Sequence, residues 1–419
     1  MSPILRMGKR VKRIDVYAKP KRVLFLFSLI IRTFAHFARK KEKARIVRLG
    51  EIPKPPYLLI ANHSSFMDIY AGLGAIGWHR SYWVCAIEEF IDKFFVCTHS
   101  GIIPRRRFVN DPKCSLMMMD ILKKRKKILV IFPEARYSFD GKPERIDKGL
   151  AKLAKACKVP IVFMDCHGHY LREPQWSDHV VREVPLLAEM RCLIDKKQVL
   201  DLSIEAIDRE IEKAFDGDEE RYQLERNFLI AYPKRAEGLE RILYKCPHCG
   251  TEFEMSSSGE VLRCDHCRAE YRLNENGTLS RLDGEGKFTL ISQWYEWEKE
   301  CVRQEVNAGE YHFEDEVRVE HLEGVGVGFS VMQGHYRLIH YSDGEMIIKG
   351  DDGTMLRREP LQSYAIHIDY GYHDKGPCVD FSIPGETYFA YPLNKAKALT
   401  KIHFAVETIY DKLKGEIAK

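Results

Sequence analysis

Four short apolar runs separated by stretches of helical length dominate the first half of this chain. Tyr57–Ile60, Tyr82–Val84, Ile128–Phe132 and Pro160–Phe163 are rich in β-branched and aromatic residues and read as buried strands. Residues 67–76, 112–127 and 147–157 between them read as helices. Strands joined by helices of this size cannot pair as hairpins, so the pattern predicts an α/β unit with a mostly parallel sheet flanked by helices. Residues 197–240 continue in a charged helical pattern, as in Ser203–Lys213. With 419 residues and 45% apolar content, further units of ordinary globular composition must follow.

Charge is distributed unevenly. Residues 1–50 hold fifteen Lys and Arg against Asp15 and Glu42, a local +13 in a chain of +5, so the remainder carries −8. A basic arm of this kind suits a polyanionic surface, lipid headgroups or nucleic acid. Within it Val23–Ile31 is apolar, Arg32 interrupts, and Phe34 and Phe37 resume. The run is shorter than the ~20 apolar residues of a spanning helix. Arg39, Lys40 and Lys41 stand where a signal peptide would have its small-residue cleavage site. An amphipathic helix lying in the membrane interface fits best, with a core helix bearing a solvated basic flank as the other reading.

Of twelve cysteines, eight (Cys85, Cys97, Cys114, Cys157, Cys166, Cys192, Cys301, Cys378) are scattered singly, which resembles reduced, buried thiols more than a disulfide framework. The other four form two Cys-x-x-Cys knuckles, Cys246/Cys249 and Cys264/Cys267, spaced to give four thiolates to one structural zinc in a ribbon over 244–273. Gly250 supplies the tight turn after the first knuckle, while His248 and His266 lie inside the knuckles and are not expected as ligands. Residues 285–419 then alternate short β-type segments, such as Tyr336–Tyr341 and Met346–Lys349, and close with a helix over 394–415. This β-rich module with its final helix resembles in pattern the pleckstrin-homology-like shape. The expected units are thus 1–50, a basic membrane-surface segment; 51–240, the α/β domain; 244–273, the ribbon; and 285–419.

The chemistry begins after the first strand, at His63 and Asp68. Moving a proton off an attacking hydroxyl needs a base such as imidazole, and the imidazole needs a carboxylate to fix its tautomer. Ser64 or Ser65 would cap the helix that follows. In a chain with sixteen His, roughly one His-x-x-x-x-Asp match arises by chance, so the spacing alone is weak. Ordered context strengthens it: Asn62-His63, then Gly101 to Arg107, then Phe132-Pro133-Glu134 about seventy residues after the first, then Val159-Pro160.

This set resembles the four sequence blocks of the glycerolipid acyltransferase family over roughly residues 20–215. The resemblance implies direct transfer of a fatty acyl group from acyl-CoA or acyl-carrier protein to the hydroxyl of a lysophospholipid, foremost lysophosphatidate, without an acyl-enzyme or a catalytic cofactor. It implies His63 as general base, Asp68 as its orienting carboxylate, Arg105, Arg106 or Arg107 on the acceptor phosphate, Glu134 binding the glycerol backbone or ordering the site, and Pro160 near the acyl donor. Two blocks depart from the family. Pro104-Arg105-Arg106-Arg107 replaces Phe-Ile-Asp-Arg, and Ala135-Arg136-Tyr137 replaces Gly-Thr-Arg, so either Arg136 supplies the third-block charge from a shifted backbone or the acceptor headgroup differs from phosphate. The expected partners are an anionic membrane surface at the cytoplasmic face, a lysophospholipid and the acyl donor, with no nucleic acid. The alternative is an inactive first domain carried by a binding protein whose ribbon and last module hold nucleic acid or protein. Lys123–Lys127 reads as a solvated helix end, and His167 and His169 read as structural or surface histidines.

Overall fold

The computed structural model describes residues 23–146, 148–177, 181–322, 329–371 and 375–417. The first 22 residues of the basic arm lie outside them. Helix α1 (Phe25–Lys41) leads into β1 (Arg45–Leu49), β2 (Leu58–Ala61), α2 (Met67–Ile76), β3 (Ser81–Ala86), α3 (Glu89–His99), β4 (Ile102–Arg105) and α4 (Pro112–Met119), which ends in a π-helical turn over Asp120–Arg125. Then come β5 (Ile128–Ile131), α5 (Gly149–Cys157), β6 (Ile161–His167), a short α6 (His169–Arg172), β7 (Leu187–Ile194), α7 (Lys196–Asp201), α8 (Ile204–Ala214) and α9 (Glu219–Arg226).

The seven strands form one sheet in the order β1-β7-β6-β2-β5-β3-β4. Only the β6–β7 pair is antiparallel. Alternate residues of the central strands serve opposite faces. Leu58, Ile60, Leu129, Ile131, Ile161 and Phe163 pack with residues of α4, α5 and α8. Leu59, Ala61, Val130, Val162 and Met164 pack with Ala71, Ala75 and Ile76 of α2. Both faces are covered, which is why these strands read as unbroken apolar runs. The expected boundary at residue 50 moves, because β1 pairs with β7 and belongs to the sheet.

Arg32, which interrupts the apolar run of α1, docks that helix. Its guanidinium donates to the carbonyls of Leu73, Gly77 and His79 at the C-terminal end of α2. Arg39 donates to Tyr70 O and Arg48 to Ala75 O, both at 2.7 Å. Arg32 and Arg48 thus satisfy carbonyls that the last turn of α2 leaves unpaired, at the negative end of its dipole, while Arg39 joins a carbonyl one turn earlier. Ala35 is fully buried, while Leu26, Ile30, Phe34 and Phe37 on the opposite side are more than half exposed.

The Cys-rich unit is a four-stranded antiparallel sheet of β8 (Met255–Ser258), β9 (Val261–Cys264), β10 (Glu270–Leu273) and β11 (Leu279–Arg281), so it extends past the expected end at 273. Its four sulfurs lie within 4.8 Å of one another. Cys246–Cys267 and Cys249–Cys264 are 3.7 and 3.8 Å apart, the edge of a tetrahedron of thiolates about 2.3 Å from a central zinc. The residue after each knuckle has positive φ, Gly250 at +77° and Arg268 at +66°.

After α10 (Ile291–Ala308) come β12 (His312–Leu322), β13 (Phe329–Val331), β14 (Tyr336–Tyr341), β15 (Met346–Gly350), β16 (Met355–Arg358), β17 (His367–Asp369), β18 (Cys378–Ile383), β19 (Glu386–Pro392) and α11 (Leu399–Ile417). The order β16-β15-β14-β12-β19-β18-β17 is antiparallel throughout, with β13 also on β12. Strand β12 joins two half-sheets: residues 312–317 pair with β14 on one edge, and 317–322 with β19 on the other. Helices α10 and α11 pack together, and one apolar core runs from ribbon residues Tyr244, Met255 and Leu262 through Trp294 to Ile402 and Phe404 of α11. The architecture is therefore the expected α/β sheet, Cys-rich ribbon and β-rich region ended by a helix, with the last two sharing a core.

Since that core is shared, the effect of removing a metal should not stay local. Chelation, or Cys264→Ser, is expected to lower Tm by ~10 °C or more and to speed amide exchange in α10 and α11 as well as in β8–β11. Exchange changes confined to 244–281 would contradict this.

Candidate active site

The loops leaving the carboxyl ends of β2, β4 and β5 carry the expected site residues. Asn62 extends the ladder beyond β2 with its side chain, donating to Cys166 O at 2.8 Å and accepting from Cys166 N at 2.7 Å. This double bond fixes where His63 leaves the sheet. His63 N donates to Glu134 Oε1 at 2.8 Å, and His63 O accepts from Ser138 N at 3.1 Å. Its ring lies between Phe132 (centroids 4.0 Å apart, stacked) and Tyr137 (4.4 Å).

Across the turn Nδ1 of His63 meets Asp68 Oδ2 at 2.9 Å. The same oxygen accepts from the backbone N–H groups of Ser64 and Ser65 at 2.7 and 3.0 Å. Ser65 Oγ in turn accepts from Met67 N, so Ser65 and Asp68 cap the start of α2 reciprocally. With an anionic acceptor at Nδ1, the neutral ring carries its proton there and presents Nε2 as a base. His63 retains 16% side-chain exposure, whereas Asp68 has none. Burial drives the Asp68 carboxyl upward, but hydrogen bonds from His169 and His63 outweigh it and hold it below the usual carboxylate range.

The second histidine was not expected. His169 Nδ1 lies 2.5 Å from Asp68 Oδ1, on a residue with no exposed surface. Spacing could not reveal it, since 101 positions separate the partners.

Glu134 is buried, and both its oxygens accept backbone N–H groups, from His63 and from Glu144. Burial pushes its carboxyl well up, opposed by those two donors. Ala135 sits at φ +58°, a left-handed conformation that favours the glycine of the family pattern.

Arg136 does not join His63. It is 3% exposed and turns to the C-terminal region, donating to Glu407 Oε1 at 2.6 Å, to Glu144, and to Ile366 O and His403 Nδ1 at 3.1 and 3.0 Å. Burial would lower its pKa, but Glu144 and Glu407 more than restore the charge. The expected substrate contact is thus an interdomain anchor, with Tyr137 beside His63 where the family pattern has its arginine. Arg107 pairs with buried Glu88, and Arg106, also buried, faces Asp111, Glu386 and Asp380. Arg105 ends β4 half-buried. Pro160 is not brought to the site: its carbonyl accepts from Leu58 N at the opposite end of β2, roughly 15 Å of extended chain from His63. His167 lies near Asp165, Glu189 and Glu219. In the lysine-rich turn Lys124 is largely exposed, as expected, while Arg125 bonds Asp120 and Tyr82.

Residues 39–165 match the family model described as Acyltransferase. Over 197 residues the chain is 28% identical to a chloroplastic 1-acyl-sn-glycerol-3-phosphate acyltransferase of Brassica napus, covering 41% of this chain and 53% of that protein. The chain therefore spans about half the length of this curated relative. Among solved structures it is similar to the 1-acyl-sn-glycerophosphate acyltransferase of Thermotoga maritima, with a TM-score of 0.39 and 20% identity over 45% of this chain and 76% of that one.

Removing one partner from a buried ion network leaves the other uncompensated. Arg136→Ala is expected to cost about 3–5 kcal/mol of stability, read by denaturant unfolding, and to raise amide exchange across α11. A loss below ~1 kcal/mol would refute the anchor.

Proposed function

We propose, from the match of residues 39–165 to the Acyltransferase family model, that the chain transfers a fatty acyl group from an acyl-CoA or acyl-carrier-protein thioester to the hydroxyl of a lysophospholipid, foremost lysophosphatidate. The observation that carries this reading is the contact of His63 Nδ1 with the wholly buried Asp68, which leaves Nε2 as the base. His63 Nε2 takes the acceptor's hydroxyl proton as its oxygen bonds to the thioester carbonyl carbon. The resulting tetrahedral adduct expels the thiolate, to which the imidazolium returns the proton. Asp68 keeps Nδ1–H in place and offsets the transient positive charge. We assign the acceptor phosphate to the turn at Arg105–Arg107. The retained dyad supports an enzyme over an inactive binding protein.

The exposed face of α1 suits a membrane interface. Leu26, Ile30, Phe34 and Phe37 form one stripe, and Phe34 meets Tyr70, which meets Phe66 three positions from His63. An apolar row thus runs from the helix to the mouth of the site, with Lys40 and Lys41 at its end. No helix among the described residues is long and apolar enough to cross a membrane, and we assign peripheral attachment at the cytoplasmic face. The ribbon's metal we assign as zinc with a structural role, since four thiolates close the coordination shell. The last eight strands and α11 we take as a pleckstrin-homology-like module, from their strand order and closing helix.

The test is acyl transfer from a labelled thioester to lysophosphatidate. His63→Ala is expected to lose ~10²–10⁴-fold in rate with its unfolding midpoint unchanged. Absence of transfer by the native protein with both donor types and several lysolipids would overturn the reading. Separately, the double variant Phe34→Ser/Phe37→Ser is expected to weaken sedimentation with anionic vesicles ~10-fold or more. Unaltered sedimentation would remove α1 from the membrane contact.

A further inference from the structure

The site's carboxylate serves two imidazoles, and the reaction as written uses one. Asp68 Oδ2 accepts three N–H groups, from His63, Ser64 and Ser65. Oδ1 is met by His169 Nδ1. In a wholly buried anion, leaving one oxygen without a donor is costly and favours protonation.

His169 is placed for this contact with little freedom. It follows β6 through Gly168, at φ +80°, where a Cβ would stand 2.3 Å from Pro185 O. Gly168 N donates to Glu219 Oε2 at 2.7 Å, and Gly168 O accepts from Arg172 N, closing the turn of α6. His169 Nε2 is buried without a hydrogen-bond partner. An orphaned N–H of an imidazolium would be more costly than an orphaned lone pair, so the neutral ring with its proton on Nδ1 fits the surroundings.

We propose that His169 is a positioning residue for acyl transfer: it holds Asp68 from the side opposite His63 and thereby sets the pH range over which His63 acts as base. The proposal rests on the reading of His63 as that base. A donor on Oδ1 draws charge from Oδ2 and so weakens the acceptor that the His63 Nδ1–H meets. The other ionisable groups facing the pair are Tyr137 against the His63 ring, Glu134 on the His63 backbone, Cys166, and Glu219 beneath Gly168. The Cys166 thiol is pushed far up by burial and the Tyr137 phenol likewise, so neither shares the proton near neutrality.

The test compares His169→Phe, which removes the donor, with His169→Asn, whose amide N–H falls near the position of Nδ1–H, in the full chain. His169→Phe is expected to lower kcat ~10-fold with little change in KM, and to move the acid limb of kcat/KM upward by about one pH unit. His169→Asn should restore the limb toward the native position, which a merely structural histidine would not require. An acid limb unmoved in an active His169→Phe protein overturns the proposal. Should that variant not fold, His169→Gln, with its N–H displaced by one bond, is read the same way. Histidine-resolved NMR separates this proposal from the enzyme reading. The native protein should show two downfield imidazole N–H protons, one lost and the other shifted in the variant, whether or not acyl transfer is detected. An unshifted His63 resonance overturns the coupling, and a native protein without transfer overturns the enzyme reading alone.

Discussion

Both backbone polar groups of His63 are held by a single loop. The segment after β5 accepts the His63 N–H through Glu134 and donates to its carbonyl from Ser138. The same loop supplies Phe132 and Tyr137 on either side of the imidazole, and its Arg136 reaches across to α11. Position of the His63 imidazole and attachment of the C-terminal region are therefore two aspects of one conformation. Nothing in the parallel sheet alone sets the loop's path beyond Ile131. Its ends are fixed by β5 and α5, and its middle by buried charge: Glu134 between two backbone donors, Arg136 between two carboxylates. Such networks add little net stability over an apolar packing, yet they tolerate few alternative geometries.

The same economy of charge appears at Asp68. A carboxylate without solvent contact persists as an anion because four N–H groups converge on it, two from the backbone turn that its own helix begins. Capping of α2 and orientation of the His63 ring are one interaction, so a change that frays the first turn of α2 displaces the imidazole as well. The arginines follow a related logic. Arg106 and Arg107 do not point into open solvent but are matched by Glu88 and by acids of β18 and β19. The C-terminal module thus borders the strand ends where the acceptor headgroup is assigned.

How far the sequence reveals this arrangement depends on the range of the interactions. Strands buried on both faces announced themselves as apolar runs, and His63, Asp68 and the four cysteines were legible because their partners lie within a few residues or repeat a motif. Strand β4 was not, since an edge strand tolerates Pro104 and a terminal Arg105 that would exclude a central one. The helix before it, α3, was missed with it. Arg32 looked like an interruption because the carbonyls it serves belong to α2. The partners of His169 and Arg136 were hidden for the same reason: they stand 101 and 271 positions away. Periodicity carries no information at that distance.

That last separation bears on how the molecule comes into being. Strand pairing in the parallel sheet closes by residue 194, whereas the second carboxylate that holds Arg136 stands at 407. On a ribosome, which releases the chain from its N-terminus at about 5–20 residues per second, the sheet therefore emerges ten seconds or more before α11. During that interval Arg136 has Glu144 but not Glu407, and the loop around His63 lacks its far anchor. The order of synthesis makes the first domain's architecture early and its reactive geometry late. A nascent or truncated chain can carry the whole sheet without yet holding the His63 loop from both sides.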